Sequence, residues 1–285
     1  QRPMSRAAAP YGPNPWQQRH WDARAAANFV CGGMGSGLIV AAALAGASGP
    51  ALAAPMAVGV ALIALGLASV FAELGRPLRA ANVVINPRTS WMSREALVAP
   101  LLVACALAAA AGYAAFATIA AALALAFVYC QGRMVQASRG IPAWRNPSVP
   151  VLFVATGLAE GFGLWHVVAA FTGARAAWLA AAFGALLVVR IVLYRGYRRQ
   201  LGQALHRDAA AALDRAGRLL LWAGTLVPLA LLASATVLPG APWLAAAAGL
   251  LAAAGGAWFK ATLMLRAGHN QGFALPHMPV RGVAS

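Results

Sequence analysis

Acidic side chains are scarce. Only 6 of the 285 residues are Asp or Glu, against 22 Lys and Arg, which leaves a formal net charge of +16. All charged residues together make up 10% of the chain, against about a quarter in an ordinary soluble domain. So few charges cannot coat a soluble globule. Disorder is excluded as well, because 61% of the residues are apolar and disordered chains have low hydrophobicity. The sign of the charge would suit nucleic acid, but such binders gather their cations on a polar face. Here long apolar blocks separate small arginine clusters. Cysteine is also rare: Cys31, Cys105 and Cys130 lie far apart within apolar runs, with no CxxC pair. That pattern argues against a zinc or iron–sulfur site held by this chain and reads as small buried hydrophobes. Of the 5 histidines only His166 falls inside an apolar run, so a haem with two facing axial histidines is not expected. The first twenty residues are polar, carry Pro10, Pro13 and Pro15, and lack the apolar core of a secretory leader. The class that remains is an integral membrane protein.

A spanning helix needs about 20 predominantly apolar residues. Runs of that kind predict eight spans over 24–46, 51–74, 95–113, 117–137, 149–171, 176–198, 216–238 and 242–265. Alanine, glycine and leucine dominate them, and small residues let helices approach closely in lipid. The expected fold is therefore an all-α bundle of eight transmembrane helices over 24–265, with tails at 1–23 and 266–285 and no sizeable soluble domain. The cations are sorted by loop. Arg2, Arg6 and Arg19 precede the first span. Arg76, Arg79, Arg88 and Arg94 lie between the second and third, and Arg133, Arg139 and Arg145 between the fourth and fifth. Arg195, Arg198, Arg199, Arg207 and Arg215 lie near the sixth connection, and Arg266 and Arg281 near the C-terminus. The opposite loops hold Arg175 alone. By the positive-inside rule both termini and the even-numbered loops are expected in the cytoplasm. Most of the net charge is then an orientation signal.

The most distinctive connection runs from Glu73 to Glu95 and has a carboxylate at each membrane boundary. A carboxyl near a helix start is favoured by the dipole, so Glu95, two residues after the good N-cap Ser93, reads either as a capping acid or as a functional group. Glu73 reads either as an ion-pair partner of Arg76 or Arg79 or as a functional group. His20, beside Trp21 and Asp22, stands at the same boundary, as does Tyr129 near the end of span four. Interfacial histidine beside tryptophan is common as an anchor, and aromatic packing is the plainer role for Tyr129.

The segment opens Leu74-Gly75-Arg76-Pro77-Leu78-Arg79-Ala80 and closes Ser90-Trp91-Met92-Ser93-Arg94-Glu95. In this it resembles the membrane anchor subunit of dimethyl sulfoxide reductase, within the wider group of anchors of polysulfide and nitrite reductase complexes. The resemblance extends to Cys31-Gly32-Gly33-Met34-Gly35-Ser36-Gly37 in span one and to Arg133, Pro142 and Trp144 after span four. It covers roughly the first half of the chain. It implies an anchor that carries no redox metal and holds two soluble partners: a molybdenum–pterin catalytic subunit and a ferredoxin-like iron–sulfur subunit. It also implies that a quinone, ubiquinone or menaquinone, is the bound substrate beside the nearest cluster. In that family a His and a Glu at the two ends of this segment serve quinol chemistry. Glu95 keeps the one, and Glu73 replaces the other. The residues expected at the quinone are thus Glu73 and Glu95 as proton carriers, with His20, Arg79, Trp91 and Tyr129 around them. Arg76, Arg88, Arg94, Arg139 and Arg145 are the expected docking surface, with Trp91 as a further candidate for it.

The bottom-up chemistry agrees. Quinone reduction consumes two electrons and two protons, and the protons need a titratable group within hydrogen-bond reach of a quinone oxygen. With the segment in the cytoplasm, the soluble partners belong there too. That favours a relative that oxidises a cytoplasmic substrate and reduces quinone, such as quinone-linked sulfite dehydrogenase or phenylacetyl-CoA:acceptor oxidoreductase. A sulfoxide-type reductase drawing on quinol is the alternative. A secondary transporter is the rival from another class, weakened by the lack of an internal repeat and of paired broken helices. Three charges fall within spans: Glu160, Arg190 and Lys260. Unpaired charge in the membrane is expensive, so Glu160 and Arg190, at similar depth, are expected to pair, with a Glu160–His166 proton path as the alternative. Lys260 is expected to snorkel toward the boundary.

Overall fold

The computed structural model describes residues 15–72, 82–174, 176–202, 204–238 and 242–272. Eight helices among them are long and apolar enough to cross a membrane: α1 Ala23–Leu44, α2 Pro50–Phe71, α3 Trp91–Ala110, α4 Ala115–Gln136, α5 Val149–Thr172, α6 Ala177–Leu201, α7 Arg207–Val237 and α8 Pro242–Leu265. At about 1.5 Å per residue each covers the roughly 30 Å of a bilayer core. The chain is therefore a multi-pass, all-α membrane protein, as expected. Most boundaries lie within a few residues of the apolar runs. Two differ for a physical reason. Helix α3 starts at Trp91 because Ser90, not Ser93, is its N-cap and accepts the Ser93 N–H at 3.3 Å. Helix α7 starts at Arg207, nine residues before the apolar run, because its first turns are an alanine-rich amphipathic helix whose polar face pairs Asp214 with Arg198 of α6 at 2.8 Å.

Helix α5 is the centre of the bundle, packed against α1, α4, α6 and α8. Glycine makes this possible. A Cβ on Gly161 would lie 2.0 Å from the Gly37 carbonyl carbon, and one on Gly249 would lie 2.0 Å from the Gly163 oxygen. The α1–α5 and α5–α8 crossings are thus backbone against backbone, the close approach that small residues permit in lipid. Leu38, Ile39, Phe162, Trp165 and Phe183 fill the middle of the bundle.

Helix α7 contains a π-type turn at Trp222–Leu226 just before Pro228. Proline has no N–H to give to the carbonyl four residues back, and that carbonyl belongs to Gly224. The fully buried Arg190 takes it instead, donating through Nη2 to Gly224 O and through Nη1 to Ala252 O of α8 at 3.0 Å. One guanidinium thereby ties α6, α7 and α8 together.

The arginine-bearing end is capped. Gln18 N donates to Gly268 O and Asn270 N to Trp16 O, each at 2.8 Å, so the segment before α1 pairs with the segment after α8. Trp144 stacks on Trp21 with centroids 5.0 Å apart and donates to Leu263 O at 2.9 Å. Asp22 caps α1, and the Arg24 guanidinium beside it, at 2.8 Å, holds its carboxyl below the usual range. Arg24 also donates to Ala72 O at the end of α2 at 3.2 Å. His269 stacks on His206 at 4.7 Å, and burial, aided by that neighbour, lowers its pKa.

Gly161→Ala is expected to destabilise the bundle by about 1–3 kcal/mol or more, since the added methyl must push backbone rather than a side chain. Gly196→Ala, where an added Cβ meets nothing within 4 Å, is expected to be neutral or stabilising by up to about 1 kcal/mol. Thermal unfolding in detergent distinguishes the two.

Candidate functional site

Because α3 begins at Trp91, Glu95 falls in its second turn and faces inward, with 4% of its surface exposed. The capping role allowed for Glu95 by its sequence position does not apply, since no acid stands in the first turn. Its Oε1 accepts from Gln131 Nε2 of α4 at 3.1 Å, and the same amide donates to Asn28 O of α1 at 3.2 Å. Gln131 reaches α1 only because Gly32 lacks a Cβ, which would lie 2.4 Å from that amide nitrogen. Asn28 and Gln131 each keep a buried side-chain oxygen without a partner, Asn28 Oδ1 and Gln131 Oε1.

Glu95 and Asn28 line a cavity of about 320 Å³ whose walls include His20, Trp21, Phe29, Val70, Met92 and Met134. A carboxyl and a carboxamide within an apolar wall suit a ligand with a small polar head and an apolar body. His20 is exposed at its rim. The site therefore joins two residues expected from the sequence, Glu95 and His20, with two that were missed, Asn28 and Gln131.

The other expected residues are placed differently. Two guanidinium groups lie over the Trp91 ring, Arg94 at 4.0 Å and Arg133 at 4.5 Å from its centre. Tyr129 meets Trp91 edge-on at 5.9 Å, and its hydroxyl accepts from Arg133 Nη1 at 3.0 Å. Trp91 and Tyr129 thus form a separate cationic–aromatic cluster beside the cavity. Arg94 also braces the connection before α3, donating to Pro87 O and Arg88 O at 2.8 Å each. Arg88, Arg139 and Arg145 are exposed, and Arg145 donates to Gln271 Oε1 at 2.7 Å. Glu73, Arg76 and Arg79 lie outside the described residues.

On the other side of α1 lies a second polar group. Lys260, the only lysine in the sequence, is fully buried and donates from Nζ to Glu160 Oε2 at 2.6 Å and to Phe29 O at 3.0 Å. Two expectations are corrected here. Lys260 does not snorkel, and Glu160 pairs with Lys260 rather than with Arg190. Depth along a helix says nothing of the direction a side chain takes around it. Arg190 has turned to the carbonyls of α7 and α8, and Glu160 to α8 and α1. Room for the pair again comes from glycine: a Cβ on Gly33 would lie 2.4 Å from Lys260 Nζ, and one on Gly256 would lie 2.3 Å from Glu160 Oε1. The Gly32-Gly33 doublet thus admits one polar side chain on each side of α1. That doublet was the available signal for Gln131.

A family model described as the DMSO reductase anchor subunit (DmsC) matches residues 45–238, more than half of the chain. No curated protein matches it.

Lys260→Met leaves a buried carboxylate without its cation and is expected to cost about 3–5 kcal/mol, whereas removing both charges in Glu160→Gln with Lys260→Met is expected to recover most of that loss. A double-mutant cycle on thermal unfolding measures the coupling.

Proposed function

The chain belongs to the DMSO reductase anchor subunit family, the membrane anchors of molybdopterin oxidoreductases, and from that premise we propose that its Glu95 cavity is where membrane quinone exchanges electrons and protons with an iron–sulfur partner. The observation that carries this reading is a carboxyl buried inside a span, held by Gln131, at an apolar cavity on the arginine-bearing end. Quinone plus two electrons and two protons gives quinol. The electrons arrive from a cluster in the ferredoxin-like subunit, which in turn draws on the molybdenum–pterin subunit. Glu95 donates a proton to one quinone oxygen. His20, at the exposed rim, is the route by which Glu95 is reprotonated from water. Gln131 positions the Glu95 carboxyl at the cavity wall. Glu73 is the second proton carrier that the resemblance implies, and Arg79 a further quinone-site residue. The Trp91–Tyr129 cluster flanks the entrance.

The arginine asymmetry supports a cytoplasmic position for this end of the bundle and for both termini. Arg88, Arg139 and Arg145 there offer an exposed basic surface to the iron–sulfur subunit, and Arg76 and Arg94 are assigned to the same docking role. A cytoplasmic catalytic partner favours electron flow into quinone, from oxidation of a substrate such as sulfite or phenylacetyl-CoA, over reduction of a sulfoxide.

Glu95→Gln in the assembled complex is expected to lower reduction of a quinone analogue at least 100-fold, the usual scale for loss of a proton-transfer group. Substrate oxidation coupled to an artificial dye is expected to stay unchanged, because that electron path ends before the membrane. Equal quinone turnover in variant and parent would rule out Glu95 as the proton carrier.

A further inference from the structure

At the arginine-bearing end an open groove of about 290 Å³ runs between α6 and α7. Ile191 and Leu221 line it with apolar surface, and Arg195, Arg218 and Asp214 line it with charge. Helix α6 ends in Arg198 and Arg199, and α7 begins at Arg207. The first therefore runs toward this end and the second away from it, so Ile191 and Leu221 lie about one turn deeper than Arg195 and Arg218. The surface stays apolar below the arginines. Val192 precedes Arg195 by three residues, Trp222 follows Arg218 by four, and both are exposed, as is Val188. Residues three or four apart share a helix face, so each arginine stands at the head of an apolar stripe. The two helices are fastened to each other here. The Tyr194 hydroxyl donates to Leu213 O, and a Cβ on Gly217 would lie 2.4 Å from the Tyr194 ring.

The charges in the groove do not balance. Asp214 is the one acid among the described lining residues. Both its oxygens are taken by Arg198, which donates through Nε at 2.8 Å and through Nη2 at 3.1 Å. Arg195 and Arg218 are exposed, and neither has a hydrogen bond or ion pair with another described residue. The positive-inside rule accounts for the side of the membrane on which they stand. It does not account for two unpaired arginines from different helices lining one groove. An occupant that suits the groove is anionic at its head and apolar below. Arginine holds phosphate through paired N–H donors, and basic pockets between spanning helices suit acidic lipid head groups. A free inorganic anion would use the arginines and leave the apolar stripes unused. We propose that this groove binds an anionic phospholipid, its phosphate held by Arg195 and Arg218 and its acyl chains lying along Val188, Val192 and Trp222. The site lies on a different pair of helices from the Glu95 cavity and does not depend on the function assigned there.

The test uses the full chain, purified in mild detergent and stripped of lipid, in native mass spectrometry. Phosphatidylglycerol is titrated against phosphatidylcholine, whose phosphate is compensated by its own ammonium group. The first phosphatidylglycerol is expected to bind about tenfold more tightly, because it alone brings uncompensated charge to the two arginines. Arg195→Gln and Arg218→Gln are each expected to weaken it about tenfold, the scale of one charge-assisted hydrogen bond. Arg199→Gln removes the same charge from an exposed arginine outside the groove and is expected to leave the affinity unchanged. Unfolding temperature checks that all three variants keep the fold. Inorganic phosphate in large excess is expected not to displace the lipid. Equal affinity for the two lipids, no loss in either groove variant, an equal loss in Arg199→Gln, or displacement by inorganic phosphate would overturn the proposal.

Discussion

The ion pair between Lys260 and Glu160 is the constraint on which the bundle depends. A charge placed alone in the middle of a membrane protein is prohibitive, and a pair is tolerated only with close geometry and further hydrogen bonds. Here the lysine obtains them from the Phe29 carbonyl as well as from the carboxylate. Those contacts need α1, α5 and α8 to meet within a few ångströms, so glycine stands at Gly33 and Gly256, where any side chain would displace the charges. The same separations recur one to two turns further along, where Gly37 faces Gly161 and Gly163 faces Gly249. Electrostatics and packing thus demand one spacing. Alanine, abundant in these helices, fills the remaining contacts without forcing them apart.

A second buried cation is accommodated by a different device. Arg190 has no carboxylate among its hydrogen-bond partners and uses the carbonyls of two helices. One of these is free because Pro228 cannot use it, so an interruption that would weaken an isolated helix becomes a fastening between three of them.

The number, order and approximate limits of the spans were legible because hydropathy over twenty residues is a strong signal. Glu95 stood out in the sequence as a carboxylate at the membrane boundary; its burial against Gln131 did not. What was not legible is direction around each helix. Glu160 and Arg190 share a depth, yet their side chains take opposite choices of neighbour, and Lys260 lies inward although its position near a span end suggested the boundary. Asn28 and Gln131 carry no charge and break no pattern, so only their meeting with Glu95 in space distinguishes them. The early start of α7 escaped for another reason: an amphipathic helix on a polar surface has low mean hydropathy and falls below any threshold for a span.

Helix α1 links these observations. Gln131 binds its carbonyl at residue 28 from one side, and Lys260 binds the next, at residue 29, from the other. Successive residues of an α-helix are about 100° apart around its axis, so both polar networks grip the same turn like two hands on one dowel. The lining of the Glu95 cavity and the charged centre of the bundle are thereby fastened to adjacent carbonyls of a single helical turn.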